Sequence, residues 1–353
     1  MSGKSDKQAV STGTECGSGG AVHSVSGETT AGAAKLSIVN CQLSIGVVGA
    51  GNVAWHLAPA LARAGWEVAF VASRSLAHAR SLSERVSQVT GHGSQVTKQI
   101  GCRAYSLADL ASHASKENTC HLSPVTCHLN TPQNARDSKP EIILISVSDN
   151  AVADVAAQVV PLFPHALFVH TAGSVGLDVF DGALALAKEK NTCHLSPVTC
   201  HLRASVLYPL QTFSKAAEVD VSQVPFFVEA NSADDLALIT SIASSIGGST
   251  QELSSERRRR LHLASVLACN FVNSLYAEAA DIARSIGVGF DALLPLIDET
   301  ARKVHRLAPR DAQTGPAARG DTKTIGKHLA MLEDDELRAL YALLSKRIMQ
   351  RKK

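Results

Sequence analysis

The stretch "GVVGAGNVAWHLAPALARAGWEVAFVASRS", residues 46–75, decides the fold that this sequence predicts. An apolar run ends at Gly49, a helical pattern begins at Asn52, and a second apolar run ends at Ser73. A buried strand, a tight turn, a helix and a second strand in this order are typical of a β-α-β unit. The stretch therefore predicts a parallel sheet with helices packed on it.

The turn between the first strand and the first helix has the spacing G-x-G-x-x-A of dinucleotide-binding turns. Gly49 permits the tight turn, Gly51 lets the backbone approach a pyrophosphate, and Ala54 lets the helix pack closely on the strand. The free N–H groups at the helix N-terminus face the phosphates. We expect the cofactor to bind at Gly49, Gly51, Asn52, Val53 and Ala54.

The second strand ends in "ASRS", about twenty residues after the turn. A site for NAD would have Asp or Glu at this point to bind the ribose hydroxyls, whereas an Arg can bind the 2'-phosphate of NADP. Ser73, Arg74 and Ser75 therefore predict NADP rather than NAD as the cofactor. The alternative interpretation is a surface arginine that follows an ordinary glycine turn.

Alternating helices and strands continue to Gly248, and beyond it the pattern is helical, with one long helix predicted over 252–286. No strand is predicted between the helix of residues 75–88 and the helical "SLADLASHA". Later strands are predicted in "EIILISVS" (141–148), "ALFVHTAG" (166–173), "RASVLYPL" (203–210) and "PFFVEA" (225–230).

The predicted fold is a doubly wound, mainly parallel α/β domain of the Rossmann type, followed by an all-α domain. Residues 1–43 are rich in Ser, Gly and Thr without apolar periodicity, which predicts a flexible tail. Residues 44–248 form the predicted cofactor-binding domain, and residues 249–353 form the predicted helical domain for dimerisation and substrate binding.

Polar residues follow two of the later strands, at the sheet edge where open α/β sheets bind ligands. Ser146, Val147 and Ser148 are expected to border the cofactor. His170 lies where a nicotinamide ring is expected, and we predict a catalytic role for it. The alternative is a histidine that is hydrogen-bonded in the core.

Composition limits the classes of partner. Hydrophobic residues make up 45% and charged residues 19% of the 353 positions, and the formal net charge is only +2. These values indicate a globular protein that binds a small molecule rather than nucleic acid or a membrane. The basic run "ERRRRLH" (256–262) is interpreted as a solvated helix start, and the alternative is an anion-binding patch. Without a long apolar run, we expect a cytoplasmic protein with its eight cysteines reduced.

The peptide "NTCHLSPVTCHL" occurs twice, at residues 118–129 and 191–202. Two identical copies suggest duplicated DNA, and both fall between a predicted helix and the next strand, where insertions are tolerated. We therefore expect passive insertions and no bound metal. The alternative is a zinc site, because each copy carries Cys and His side chains. In the first copy these candidate ligands are Cys120, His121, Cys127 and His128.

From Ser44 to about Ile348 the sequence resembles the Rossmann-like proteins with a C-terminal helical domain of unknown function, described as NADP oxidoreductases of the deazaflavin-dependent type. More distantly it is similar to pyrroline-5-carboxylate reductase and the 6-phosphogluconate dehydrogenase superfamily. The resemblance rests on "GAGNVAWHLAPAL", "HTAGSVGLDVF", "LYPLQTFSK", "RRRRLHLASVLACNFVNSLYAEA", "LLPLIDETARKV" and "AQTGPAARGD".

The resemblance implies that the long helix presents polar residues, including Cys269, to the nicotinamide. We predict His262 as a general acid, with Asn270 or Asn273 orienting a carbonyl or imine substrate. Positions 262 and 273 are eleven residues apart, close to three helical turns, so they are expected to share one face. The lysine that relatives use on this helix is absent. The alternative is a set of polar residues satisfied at a helix interface.

The resemblance further implies a homodimer through the helical domain, whose apolar residues exceed what one small domain covers. The polar stretches of the helical domain either line the cleft between the two domains or form capped turns between helices. These stretches contain Glu299, Thr300, Lys303, Gln313, Thr314 and Gly315. The predicted function is an NADP-dependent oxidoreductase that transfers hydride to or from a small carbonyl or imine. The alternative is an NADP-binding sensor or regulatory protein without turnover.

Overall fold

The computed structural model describes residues 43–90, 101–116, 140–189 and 202–351. Leu43–Lys353 forms one compact unit. The predicted flexible tail lies outside the described residues except for Leu43. Both copies of the Cys-His peptide also lie outside them, apart from Leu202 at the end of the second copy. The predictions of a tail and of passive insertions therefore remain predictions.

In the described part of the chain, one sheet of eight strands organises the α/β part, in the order β3-β2-β1-β4-β5-β6-β7-β8. The strands from β3 to β6 in this order run parallel, β7 is antiparallel to β6, and β8 is parallel to β7. The strands are β1 Ser44–Val48, β2 Glu67–Ser73, β3 Arg103–Ser106, β4 Ile142–Ile145, β5 Leu167–His170, β6 Ala204–Pro209, β7 Phe226–Ala230 and β8 Thr250–Glu252.

The central strands are buried along their whole length, as their continuous apolar sequences require. "SIGVV" of β1, "IILI" of β4 and "LFVH" of β5 have no exposed residue. Strands covered by helices on both faces cannot alternate polar and apolar residues, so they appear as uninterrupted apolar runs. The order 3-2-1-4-5-6 with helices on both faces is that of the Rossmann fold, which confirms the predicted fold class.

Helices cover both faces of the sheet. Side chains of α1, α2 and α6 pack in one apolar cluster, and side chains of α3, α4 and α5 pack in a second. The helices are α1 Asn52–Arg63, α2 Leu76–Thr90, α3 Leu107–Lys116, α4 Val152–Val159, α5 Val179–Glu189 and α6 Ala233–Ile246. The sheet therefore lies between two layers of helices.

The remaining chain is helical. Helix α7 continues without a break through a π-helical segment, Val266–Asn270, into α8. Among the described residues, no helix is both long and apolar enough to cross a membrane. The helices of this part are α7 Ser255–Ser265, α8 Phe271–Ser285, α9 Leu294–Val304, α10 Pro316–Arg319, α11 Thr322–Met331 and α12 Asp335–Arg351.

Three local expectations are corrected by the structure. Residues 103–106 form strand β3, which the sequence analysis did not predict because "RAYS" is short and has no apolar run. Strands continue past Gly248, since the polar "TQE" of β8 pairs with β7. The long helix accordingly begins at Ser255 and not at residue 252.

Candidate functional site

The turn after β1 requires glycine at its first position. Gly49 has a φ angle of 114°, and a Cβ atom there would lie 2.0 Å from the backbone oxygen of Ser146. Its N–H donates to the carbonyl oxygen of Ala72 at 2.8 Å. No residue with a side chain fits this position, so the turn packs directly against the end of β4.

The N-terminus of α1 is exposed, and its N-cap residue provides no side-chain acceptor for the first N–H groups of the helix. Gly51 is the N-cap and has no side chain to accept from the first-turn N–H groups, and the first turn contains no acidic residue. A Cβ atom on Gly51 would meet nothing within 4 Å. Asn52 is exposed, Val53 is half-buried and Ala54 is buried against the sheet. This arrangement fits an anion such as a pyrophosphate, which the free N–H groups and the helix dipole favour.

Ser73 ends β2, and Arg74 and Ser75 follow it at the same edge of the sheet. Arg74 is exposed, and no carboxylate pairs with it in the part of the chain that is described. The Ser75 hydroxyl accepts a long hydrogen bond of 3.4 Å from the N–H of His78 at the start of α2. The guanidinium of Arg74 is therefore available to an anion from solvent.

The loops that follow β4 and β5 are tied to each other. The Thr171 hydroxyl donates to Ser146 Oγ at 3.3 Å, and both side chains are buried. Asp149 accepts hydrogen bonds from the N–H of Ser174, at 3.1 Å, and from its hydroxyl. Beside Ser146, Val147 is half-buried and Ser148 is exposed. The residues predicted to border the cofactor thus lie in a rigid pair of loops next to the Gly49 turn.

His170 lies inside the core. Its side chain is fully buried, its ring centroid is 5.8 Å from that of Phe180, and its Nδ1 accepts from the N–H of Ala172 at 3.2 Å. Burial, together with the charge of Arg258, lowers the pKa of His170 to about 4. The imidazole is therefore neutral near pH 7 and supports the loop that follows β5.

His262 reaches the edge of the sheet from α7. Its Nδ1 is 3.1 Å from the phenolic oxygen of Tyr208, at the end of β6, and the two rings meet edge to face. A Cβ atom on Gly173 would lie 2.6 Å from Nδ1 of His262 and 2.8 Å from Cε2 of Tyr208. The loop after β5, the end of β6 and α7 therefore meet at one point.

The other polar residues of the long helix have different positions. Cys269 is half-buried and Asn270 exposed within the π-helical segment, and Asn273 is exposed on α8. The expectation that His262 and Asn273 share a face assumed a regular α-helix throughout. A π-helical turn takes up one residue more than an α-helical turn and changes that periodicity, so the assumption behind the expectation is wrong.

The basic run at the start of α7 is not uniformly solvated, which corrects the sequence-based interpretation. Arg257, Arg259 and Arg260 are exposed, but Arg258 is fully buried. Its guanidinium pairs with Glu229 of β7 and donates to the carbonyl oxygen of Val175. Burial opposes ionisation of Glu229, yet hydrogen bonds from Ser255 and Arg258 outweigh it and lower the pKa of the carboxyl. Arg258 therefore anchors α7 to the sheet.

The polar residues beyond α8 have local partners. The Thr300 hydroxyl donates to the Leu296 carbonyl oxygen at 2.9 Å, and Glu299 lies 3.4 Å from Arg302. In the segment before α10, the Gln313 amide donates to the Thr314 carbonyl oxygen. Lys303 and Gly315 are half-buried. Within the described chain, no hydrogen bond joins these residues to the residues around His262.

Sequence reasoning missed Tyr208, Gly173, Asp149 and the Glu229–Arg258 pair. Tyr208 lies in the quoted motif "LYPLQTFSK", and Gly173 lies in "HTAGSVGLDVF". Their position at or just beyond the ends of two neighbouring parallel strands was a signal, since such strand ends meet at one edge. A glutamate in the otherwise apolar strand "FFVEA" was a signal of a buried cationic partner.

The family model described as "Domain of unknown function (DUF2520)" matches residues 224–348. A crystal structure from Bacteroides fragilis, described as a "putative NADP oxidoreductase", is 37% identical over 88% of this chain and 98% of its own, with a TM-score of 0.66. The chain belongs to the family of this Bacteroides fragilis protein and carries the DUF2520 domain in its C-terminal part.

A second structure, a protein from Thermotoga maritima, is 19% identical over 87% of this chain and 98% of its own, with a TM-score of 0.54. It shares the fold of the DUF2520 protein described here. No curated protein sequence matches the chain. The DUF2520 match begins in the loop before β7, so the family domain includes β7, α6 and β8 in addition to the helices from α7 onward.

Proposed function

We propose that this DUF2520 protein is an NADP-dependent oxidoreductase that transfers hydride between the nicotinamide and a small carbonyl or imine compound. One observation carries the proposal: along one sheet edge the Gly49 turn packs against Ser146, Ser146 is hydrogen-bonded to Thr171, and the loop that begins at Thr171 carries Gly173, which packs against His262. In sheets of this strand order, dinucleotides bind across this edge, where the strand order reverses. In this series of residues, His262 is the one most distant from the Gly49 turn, where the pyrophosphate is proposed to bind.

The choice of NADP over NAD is supported by the end of β2. It has an exposed arginine, Arg74, and lacks the acidic residue that would bind ribose hydroxyls. The related Bacteroides fragilis protein is described as an NADP oxidoreductase. In the proposed complex, the turn from Gly49 to Ala54 holds the pyrophosphate, and Ser146, Val147 and Ser148 border the nicotinamide half.

His262 is the proposed proton donor. A carbonyl that accepts a hydride at carbon needs a proton at oxygen, and an imidazolium can release one near neutral pH. The bound nicotinamide would supply the hydride. Asn270 or Asn273 is proposed to orient the substrate, and His170 is proposed to act from the core by supporting the loop that carries Gly173.

The proposal includes a homodimer and a cytoplasmic location. Among the described residues, fifteen large apolar side chains are exposed, and all of them lie at or after residue 263. They include Ile286 at 74%, Met331 at 73% and Leu296 at 67% exposure. An apolar surface of this extent is typical of an obligate interface, and a second copy of the chain supplies a matching surface.

The cofactor half is tested by titrating the purified protein with NADPH and NADH. We expect tighter binding of NADPH, and Arg74→Ala should remove most of the preference, because a charge-assisted hydrogen bond contributes on the order of 1.5–3 kcal/mol. Arg63→Ala, at the opposite end of α1, is the matched control and should keep the preference. Equal affinities of the unmodified protein for the two nucleotides would contradict the choice of NADP.

The reaction half is tested by following NADPH oxidation with a panel of 2-oxo acids and cyclic imines. Turnover that His262→Gln lowers by roughly 10²- to 10⁴-fold, without a change in NADPH affinity, would support the acid role. Tight NADPH binding without turnover of any compound would favour the sensor alternative. The absence of lysine from the long helix is the observation that keeps this alternative in view.

A further inference from the structure

Tyr208 and His262 form a pair that the proposed reaction does not yet use. Tyr208 is the penultimate residue of β6 and is only 7% exposed, whereas His262 is partly open to solvent. The phenolic oxygen is 3.1 Å from Nδ1, and the rings are at 74° with centroids 6.0 Å apart. The hydrogen bond therefore engages the nitrogen of His262 that faces the sheet.

Gly173 restricts where both rings can lie. A Cβ atom on this residue would come within 2.8 Å of Cγ of His262 as well as of Cε2 of Tyr208, closer than real Cβ atoms approach their neighbours. The imidazole is thus confined by the backbone of one loop and by the phenol of an adjacent strand. The second ring nitrogen, Nε2, lies on the far side of the ring from Tyr208.

The protonation of Tyr208 suits both states of this histidine. Burial raises the pKa of the phenol, as does the nearby charge of Asp149, against the opposing effects of a hydrogen bond with Ser265 and the charge of Arg258. The phenol therefore keeps its proton at neutral pH and can donate to Nδ1 of a neutral imidazole. When the imidazole is protonated, the same phenolic oxygen can accept from Nδ1–H.

We infer that Tyr208 is a positioning residue for His262. The Tyr208 hydroxyl engages Nδ1 in both protonation states of the imidazole and leaves Nε2 for the substrate. The inference rests on the proposed function. In the transfer step, the Nε2–H bond of the imidazolium breaks as the O–H bond of the alcohol or the N–H bond of the amine forms. The ring is left neutral with its remaining proton on Nδ1, where it is donated to the phenolic oxygen, and Nε2 regains a proton from solvent before the next turnover.

The geometry is tested without substrate or cofactor by ¹⁵N NMR of protein labelled at histidine, at a pH where His262 is neutral. His262→Gln identifies the resonances of this ring. We expect protonated Nε2 and an Nδ1 that accepts a hydrogen bond, and Tyr208→Phe should move the Nδ1 resonance to that of a nitrogen without a donor. Tyr276→Phe, on α8, is the matched loss of a hydroxyl and should leave it unchanged. A proton on Nδ1 of the neutral ring, or no shift in Tyr208→Phe, would overturn the inference.

Kinetics separate this role from a purely structural one. Tyr208→Phe should lower kcat for the best substrate of the panel roughly tenfold or more, with NADPH affinity unchanged. Because Tyr208 acts through His262, the double variant with His262→Gln should be no slower than His262→Gln alone. Multiplying losses would overturn the inference. If no compound turns over, the proposed reaction fails by itself, and the NMR result still decides whether Tyr208 engages Nδ1.

Discussion

The α/β part buries its apolar residues, whereas the helical part exposes many of its large apolar residues. Up to Leu253 the described chain buries its apolar residues in two clusters that line both faces of the sheet. Beyond it, the buried hydrophobic residues of the described chain are Ala283, Ala317 and Ile325, while fifteen large apolar side chains are exposed. Burial of one such side chain contributes about 1.5–3 kcal/mol, so burial of the exposed set against another surface would give a large stabilising free energy.

The contrast shows that the two parts depend on different neighbours. The sheet and its helices satisfy their apolar surface within one chain, whereas α8, α9 and α12 carry a surface that suits another protein surface. The buried Arg258 joins the parts, because it fixes the first turn of α7 to β7.

Charges placed on the apolar helical surface should separate the proposed dimer. Leu296→Asp combined with Leu343→Asp would bury two carboxylates from each copy, at a cost of several kcal/mol each, so the dimer Kd should rise at least about 1000-fold. Sedimentation equilibrium measures the change. Gln158→Asp with Gln223→Asp, on the exposed surface of the α/β part, is the control and should remain dimeric. A monomeric unmodified protein at micromolar concentration would refute the dimer.

Removal of the anchor between the two parts should have the next largest effect. Arg258→Ala leaves Glu229 without its buried partner and should lower the free energy of unfolding by about 3–5 kcal/mol. Arg257→Ala, at the adjacent exposed position, should change it by no more than about 0.5 kcal/mol. Urea unfolding measures both values, and equal losses would mean that Arg258 is no anchor.

Acid should weaken the α/β part through His170. The folded pKa of about 4 lies below the ordinary histidine pKa of 6.5, so the unfolded chain takes up the proton first as pH falls. Stability from neutral His170 is complete above pH 6.5 and declines toward pH 4, by about 3 kcal/mol in total. The loss of stability over this range should be smaller in His170→Gln by that amount. Parallel pH profiles of the two proteins would contradict the buried neutral imidazole.

Deletion of the repeated peptides should have the smallest effect. Removal of residues 118–129 and 191–201 spares Leu202, whose side chain is buried and whose carbonyl oxygen accepts from the Asn231 amide. We expect NADPH affinity to stay constant and the free energy of unfolding to change by less than about 1 kcal/mol. Metal analysis of the untagged protein provides the contrary result: stoichiometric zinc that disappears with the deletion would establish the zinc alternative.

The sequence allowed the fold to be predicted because local and global signals agree in the α/β part. The Gly49 turn needs glycine for steric reasons, and fully buried strands must be continuous apolar runs. The Tyr208–His262 contact could not be predicted, since it joins residues 54 positions apart through packing alone. Arg258 is one of four consecutive arginines, and only the docking angle of α7 decides which of them is buried.

The π-helical segment Val266–Asn270 makes the helical part sensitive to insertions and deletions at this point. A regular α-helix turns by roughly 100° per residue, so loss of a single residue here would rotate all of α8 by about that angle relative to His262. Exposed substitutions elsewhere on the helix would change only one side chain. Natural variants and engineered chimeras should therefore tolerate exchanges of residue type in this segment more readily than any change in its length.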